Sequence, residues 1–597
     1  MRKLFILLLL FKAANFTISA QTIHPNILLI QVDDMGYDDL SINGNTLSHT
    51  PNLDAFAESA VRFGNFMVNS VCSPTRASLL TGRDFLRTGV SAMHGGNDYL
   101  HLDETTFANI FQDNGYTTGM WGKWHSGKSD GYWPWDRGFD EAYYARLYNY
   151  YPSNGWFNEY PAKTTHEGEW SPKVLVDYTI DFIDRNKQQP FLAYLSFLTC
   201  HDIWNTLDSY KNKYMVEGRT ERFAALLGML EFMDEEVGRL LQFLEDSGLE
   251  ENTVVLFMSD NGPNLGDTNP EEWSLRNNHG FLGNKARLWQ NGLKSPLYIR
   301  WKEKYEPVNI NRLVSITDIF PTLLDIANIP LPQENLPLDG RSIKTYLEGD
   351  TISLDEKNAV FSHWFPEWDK DQFSPIQTDE KAAFNFNIQK ITTINENYKL
   401  LHNPVNVTGS PEKFEETVLI DLKADPLERT NIASSNPAIV NVMKQDLENW
   451  FTEIKNEPHS FAPPVFQIAW KGKTSSEVIG FGPSKTAECE NDAHALRGLN
   501  TVGDYAEYKL KVHHSGLYKV TISTTNTDMA GMVLKASCNN SETATELSNS
   551  WTQEIGTIAL EAGEHTFKLE VTDIKSGESR EIKELKAINF DLEDDSM

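Results

Sequence analysis

Four nearly continuous apolar runs recur through the first half of the chain, and each breaks off at polar residues. Asn26 to Val32 ends at Asp33-Asp34-Met35-Gly36, and Gly115 to Trp121 leads into Gly122-Lys123-Trp124-His125. Phe191 to Phe197 leads into Leu198-Thr199-Cys200-His201, and Thr253 to Ser259 ends at Asp260-Asn261-Gly262. A run without polar alternation suits a strand covered on both faces, as in a parallel sheet between two layers of helices. Such sheets hold ligands beyond the carboxyl ends of their strands, so these polar residues are expected along one edge. Between the third and fourth runs, Glu221 to about Leu244 has apolar residues at helical spacing and predicts a long amphipathic helix packed on the sheet.

The pattern changes after Pro458 and Pro463-Pro464. Tyr505 to Val512, Gly516 to Ile522 and His565 to Val571 alternate polar and apolar residues between turn signals, which predicts a β-sandwich. Just before the prolines, Pro437 to Ile454 reads as a helix closing a small α+β unit. At the other end, Arg2 and Lys3, the apolar stretch Leu4 to Phe11 and the small-residue exit Ile18-Ser19-Ala20 form a secretory signal peptide, residues 1–20. No later run reaches the roughly 18 apolar residues of a membrane span. Export to the periplasm or beyond the cell is expected, with no membrane span.

A chain of 597 residues is too long for one ordinary core, so two or three domains are expected. Its formal charge is −31, from 53 basic and 84 acidic residues, the opposite of what phosphate-backbone binding requires. No nucleic-acid partner is therefore expected. Such a surface also repels polyanions at long range, so an anionic substrate would need a locally basic pocket. Of the four cysteines, Cys489 and Cys538 are the favoured disulfide pair, with reduced thiols as the alternative.

Asp33, Asp34, Asp260 and Asn261 make an all-oxygen donor set suited to a hard divalent ion, with Ca²⁺ favoured over Mg²⁺ because so many protein ligands are offered. Without a Cys/His cluster beside them, zinc is disfavoured.

The stretch Cys72-Ser73-Pro74-Thr75-Arg76-Ala77-Ser78-Leu79-Leu80-Thr81-Gly82-Arg83 resembles the signature of the type I, formylglycine-dependent sulfatases, members of the alkaline-phosphatase-like superfamily. Cys72, Pro74 and Arg76 supply the Cys-x-Pro-x-Arg core, with Thr75 where the family more often has Ser. Gly122-Lys123-Trp124-His125 is similar to that family's Gly-Lys-Trp-His motif. The segments around Lys285 and Gln290-Asn291-Gly292-Leu293-Lys294 resemble its Gly-Gly-Lys and Glu-Gly-Gly-x-Arg segments, with Gln, Asn and Lys as departures. Ser315 to Thr322, Leu338 to Ser342 and Leu419 to Asn431 carry further likenesses, so the resemblance spans about residues 24–455.

The resemblance implies an alkaline-phosphatase-like α/β fold, a mixed sheet with helices on both faces followed by a small α+β subdomain and the β-sandwich, which looks like a jelly-roll carbohydrate-binding module. The expected division is a catalytic domain over 21–345, a subdomain over 346–460 and the sandwich over 461–597. Cys72 would be oxidised to 3-oxoalanine (formylglycine) by a formylglycine-generating or an anaerobic sulfatase-maturating enzyme. A hydrated aldehyde offers one hydroxyl to attack sulfur and a second whose deprotonation expels the product. The catalytic set implied is Cys72, Arg76, Lys123, His125, His201 and Lys285. The metal set is Asp33, Asp34, Asp260 and Asn261 with residue 72, holding one Ca²⁺.

Export, the appended sandwich and the aromatic residues Tyr143, Tyr144, Tyr148, Tyr150 and Trp156 point to a sulfated oligo- or polysaccharide substrate of algal type, such as ulvan. The alternatives are a phosphomonoester or phosphonate-ester hydrolase of the same superfamily, and a carbohydrate-binding protein with an inactive catalytic domain.

Overall fold

The computed structural model describes residues 24–594, apart from 267, 363–384, 406, 408–415, 488, 492–494, 526–527 and 576–579. The signal peptide expected over 1–20 lies outside the described residues. Among the described residues, no helix is long and apolar enough to cross a membrane.

The four apolar runs form strands β1 (Asn26–Val32), β2 (Thr117–Gly122), β3 (Phe191–Ser196) and β4 (Thr253–Ser259). They lie side by side in the order β4-β1-β3-β2, all parallel. Val32 stands opposite Ser259, and Gly122 opposite Ser196, so all four strands end along one edge. They are the middle of a mixed sheet of ten strands, in which Leu297–Arg300 runs antiparallel to β4.

Both faces of this sheet are covered, which is why the runs lack polar alternation. Ile27 and Leu29 point into the core shared with Leu79 and Leu80 of helix α1 (Cys72–Thr81). Leu28, Ile30 and Val32 point the other way, onto Leu226, Leu230, Met233 and Val237 of helix α2 (Glu221–Asp246). Each such side chain contributes roughly 1.5–3 kcal/mol by leaving water. Helix α2 starts at Thr220, whose hydroxyl caps the backbone N–H of Phe223. At the end of β2, Gly122 has φ 119°, and a Cβ there would fall 1.6 Å from the Ser196 carbonyl oxygen. Only glycine lets β2 run against β3 right up to Lys123.

An antiparallel sheet of four strands follows, from Ala359–Ser362 to Thr417–Asp421. Helix α3 (Pro437–Asn456) sets Met443 and Leu447 against Ile391, Leu400 and Leu419 of that sheet, while Phe451 and Ile454 reach the main core.

The remainder folds as two sheets around one apolar core. Tyr505–Val512, Gly563–Ile574 and Met532–Cys538 pair in one, and Thr552–Leu560, Gly516–Thr524 and Leu585–Asp594 in the other. Their residues alternate between buried and half-exposed, as the sequence pattern requires. The expected Cys489–Cys538 disulfide is not formed. Cys538 ends a strand separated from Tyr505–Val512 by Gly563–Ile574, and Cys489 donates to the Tyr505 carbonyl beyond it. Strands two apart lie about 9–10 Å from each other, past the reach of a disulfide.

This sandwich is fastened to the α/β body. Tyr99 and Tyr132 are buried in its core, Tyr132 Oη pairs with the backbone of Val465, and Tyr160 Oη donates to Glu477 at 2.7 Å. Asp136 accepts from Trp470 Nε1 and Lys471, and Asp130 pairs with Lys473. Gly96 meets Gly482 backbone to backbone, where a Cβ on Gly96 would lie 2.3 Å from the Gly482 Cα.

Candidate active site at the strand ends

The strand ends and two neighbouring segments bring together the residues expected from the sequence to hold a metal or carry the chemistry. Asp33 and Asp34 leave β1, Lys123 and His125 leave β2, His201 follows β3, and Asp260 and Asn261 leave β4. Cys72 is the first residue of α1 and is 1% exposed. Lys285 arrives on a loop whose backbone is pinned, Lys285 N to Pro263 O and Ala286 N to Ser70 O.

Ion pairs knit these groups. Lys123 Nζ lies 2.7 Å from Asp33 Oδ2, and Lys285 Nζ lies 2.6 Å from Asp34 Oδ1. Arg76 is wholly buried and places Nη2 2.7 Å and Nε 3.1 Å from Asp260 Oδ2, while its Nη1 donates to Lys123 O and Ser196 Oγ. Asn261 Nδ2 donates to Asp34 Oδ1 at 2.9 Å. Thr75 keeps its hydroxyl bonded to Val71 O and Asn69 O, so the exchange for Ser leaves the turn of helix intact.

Three buried acceptors remain without a hydrogen bond among the described residues: Asp33 Oδ1, Asp34 Oδ2 and Asn261 Oδ1. Ligand atoms of Asp33, Cys72 and Asp260 lie within 4.8 Å of one another, as do those of Asp33, Asp34 and His201. Orphaned buried carboxylate oxygens are costly unless a cation meets them. These oxygens therefore fit a hard divalent ion.

The electrostatics follow from depth. Burial pushes Asp33 up, to about 7, against the pull of Lys123. Burial acts on Asp34 too, but Lys285, His201 and Lys123 hold it below the ordinary carboxylate range. The Cys72 thiol is raised by burial, with Lys123 and Lys285 opposing. Burial, then Lys123 and His94, lower His125. His125 Nε2 lies 2.8 Å from Met93 O, and its Nδ1 is buried without a hydrogen bond among the described residues. The ring is thereby held as the Nε2–H tautomer, with an open lone pair on Nδ1. His201 Nδ1 lies 2.5 Å from Asp202 O and its Nε2 3.9 Å from Asp34 Oδ2; burial, opposed by Asp34, brings it down to about 3.

Other expectations divide. Tyr144, Tyr148 and Trp156 line a cavity that opens on Lys123 and His125. Tyr143 does not; it is buried and stacks on Tyr178. Tyr150 is buried too, and its hydroxyl donates to the carbonyls of Leu198 and His201, holding the His201 loop in place. Lys294 turns away from the site, bonding Gly64 O and lying 4.4 Å from the Tyr37 ring centroid, and burial lowers it to about 8. His279 is tied to Asp38 at 2.6 Å.

Supporting residues were not visible in the sequence. Arg276 pairs with Asp39 in the interior and donates to Asp34 O, fixing the turn that aims Asp34. Ser196 holds both Arg76 and Lys123 O. The chain signal for Arg276 is one basic residue in a polar helix, which nothing distinguishes from a solvated charge.

The family model described as Sulfatase matches residues 25–329, which contain every one of these residues. The model described as N-sulphoglucosamine sulphohydrolase, C-terminal, matches residues 277–456. The chain is 30% identical over 561 residues to arylsulfatase H of Canis lupus familiaris, covering 75% of this chain and 94% of that protein. It is 30% identical over 363 residues to the ulvan-active sulfatase of Formosa agariphila, covering 57% and 68%. Among solved structures, Ps i-CgsB shares the fold with a TM-score of 0.60 at 24% identity, covering 73% of this chain and 94% of that one. The cationic and carboxylate groups gathered around Cys72 thus sit in a chain that belongs to the sulfatase family and is a sulfuric ester hydrolase.

Proposed function

We propose that this chain is an exported sulfatase that removes sulfate from a sulfated glycan, using formylglycine at position 72 and one Ca²⁺ held by Asp33, Asp34, Asp260 and Asn261. The observation that carries the reading is the set of orphaned oxygens on Asp33, Asp34 and Asn261, buried beside Cys72 and flanked by Lys123 and Lys285. Ca²⁺ bound there would neutralise sulfuryl oxygens, and formylglycine would supply the attacking hydroxyl.

The chain's own residues have separate tasks in this reading. Lys123 and Lys285 present fixed ammonium groups where negative charge develops, in a site that excludes most water. Arg76, locked by Asp260 and Ser196, holds the side chain of residue 72 in one orientation. His201 and Lys285 bring the proton for the departing sugar oxygen, and the negative charge of the bound ester favours the protonated ring. His125 accepts on Nδ1 the proton whose removal releases product, its tautomer set by Met93 O.

Support for the glycan comes from the aromatic wall of Tyr144, Tyr148 and Trp156 and from relatives whose names include an ulvan-active sulfatase. Support for export comes from the pattern of residues 1–20. Residues 72–81 are buried in α1, so a formylglycine-generating or anaerobic sulfatase-maturating enzyme would act before this part folds. We divide the mature chain into units over 21–345, 346–460 and 461–597, the last a carbohydrate-binding-like module.

Sulfate release from a panel of sulfated polysaccharides including ulvan, beside 4-nitrophenyl sulfate and 4-nitrophenyl phosphate, tests the reading. Desulfation of at least one polysaccharide and preference for sulfate over phosphate esters are expected. Turnover of the aryl sulfate alone removes the glycan claim, and faster phosphate ester hydrolysis replaces it with a phosphatase. Exhaustive chelation should lower kcat by about 100-fold or more, with Ca²⁺ restoring it better than Mg²⁺; activity indifferent to chelation would sink the metal assignment.

A further inference from the structure

The reaction cavity holds more positive charge than one sulfate ester needs. Its volume is about 370 Å³, and beyond Lys123 and His125 it is lined by Lys128, Tyr144, Arg146 and Trp156. Arg146 directly follows the strand Glu141–Ala145, which runs parallel to β2. The strand direction that delivers Lys123 to the edge delivers Arg146 to the same edge. Its guanidinium carbon lies 5.9 Å from the Trp156 ring centroid, and the side chain has no ion-pair partner among the described residues. Lys128 likewise makes no ion pair there; the carboxylate it faces, Asp98, stands 3.8 Å from His125 instead.

Acidic residues outnumber basic ones 84 to 53 in this chain, so a basic side chain readily finds a carboxylate. Arg185, Arg239 and Lys173 each do so even at the surface. Arg146 and Lys128 line the reaction cavity without a close carboxylate. Held against an aromatic wall and partly out of water, a guanidinium gains most from an anion that arrives with the substrate.

We propose that Arg146, with Lys128 beside it, binds a second anionic group of the substrate, a carboxylate or a further sulfate on the sugar that bears the scissile sulfate or on its neighbour. The planar fork of Arg146 suits two oxygens of one such group, and the Trp156 and Tyr144 rings take the apolar face of the sugar. The inference rests on the sulfatase reading above and narrows it to polyanionic glycans.

The test compares the matured full-length protein with Arg146→Met, Arg146→Lys and Lys128→Met. Four substrates are used: 4-nitrophenyl sulfate, a monosulfated neutral disaccharide, its counterpart with a uronate in place of the neutral sugar, and a disulfated neutral disaccharide. The wild type should prefer a dianionic disaccharide over the monoanionic one in kcat/KM, and Arg146→Met should shrink that preference about 10- to 100-fold, mostly through KM. Arg146→Lys should recover part of it, and whichever dianionic substrate loses more names the group bound. A wild type with no dianion preference, or a variant that loses equally on all substrates, overturns the inference and leaves the sulfatase reading standing; activity confined to the aryl ester overturns the inference together with the glycan claim. Hydrolysis of no sulfate ester by the wild type overturns both.

Discussion

Cys72→Ala should yield a folded protein whose kcat on 4-nitrophenyl sulfate is lower by a factor on the order of 10⁴ or more. The side chain is small and 1% exposed, so truncating it costs about 1 kcal/mol of stability and leaves the ion pairs of Asp33 and Asp260 in place. In the proposed mechanism what disappears is the nucleophile itself, and no neighbour is placed to replace it. Lys123 and Lys285 are bound to carboxylates, and Ser73 Oγ points away to donate to His125 O. Melting curves of the variant should keep the parent's cooperative shape, with the midpoint lower by no more than about 2–4 °C. Mass spectrometry of the peptide around residue 72 in the parent should read formylglycine. A variant within tenfold of the parent would move the chemistry to another residue, and a fully unconverted thiol in an active parent would do the same.

Glu428→Ala should cost about 3–5 kcal/mol, read as an earlier first unfolding transition in urea. Glu428 and Lys399 are both wholly buried, 2.6 Å apart, with Lys399 on the strand Tyr398–His402 of the antiparallel sheet. The other oxygen of Glu428 accepts from Gln290 N at 2.7 Å, at the head of the loop region that follows Lys285. Removing the carboxylate leaves an ammonium group in the interior with no anion and frees the Gln290 amide. The double change Glu428→Leu with Lys399→Met removes both charges at once and should recover most of the loss. If the double variant were as unstable as the single one, the cost would lie in packing and not in a stranded charge. Because Gln290 N is released in either variant, kcat/KM should fall in both, even where stability returns.

How far the sequence reaches depends on which force sets a feature. Burial on both faces sets β1 and β4, and their runs read directly off the chain from Asn26 to Val32 and Thr253 to Ser259. Helix α2 was equally plain, because its apolar stripe repeats for 26 residues. The convergence of Asp33, Lys123, His201 and Asp260 followed from strand direction alone. Arg146 obeys the same rule, yet Glu141-Ala-Tyr-Tyr-Ala145 is too short and mixed to announce a strand, so its strand-end position stayed hidden. Tyr143 and Tyr150 are counted from the sequence among the aromatics that point to a glycan, but strand pleating turns Tyr143 and Tyr144 to opposite faces. Lys294 stands where the family has Arg, and only the fold reveals that its ammonium is spent on Gly64 O and Tyr37. The Cys489–Cys538 pairing failed because counting thiols carries no information about the strand that lies between them.

The fastening of the sandwich sets how this enzyme can meet a long chain. A module on a loose tether raises the effective concentration of polymer and tolerates any spacing between grip and cut. Here Asp130 and Asp136 clamp Lys473, Lys471 and Trp470, Tyr160 is bound to Glu477, and two glycines let the backbones touch. If the sandwich holds sugar as proposed, a glycan lying across both bodies must span one unvarying interval, and reactivity should then step with oligomer length where a swinging appendage would make it rise smoothly.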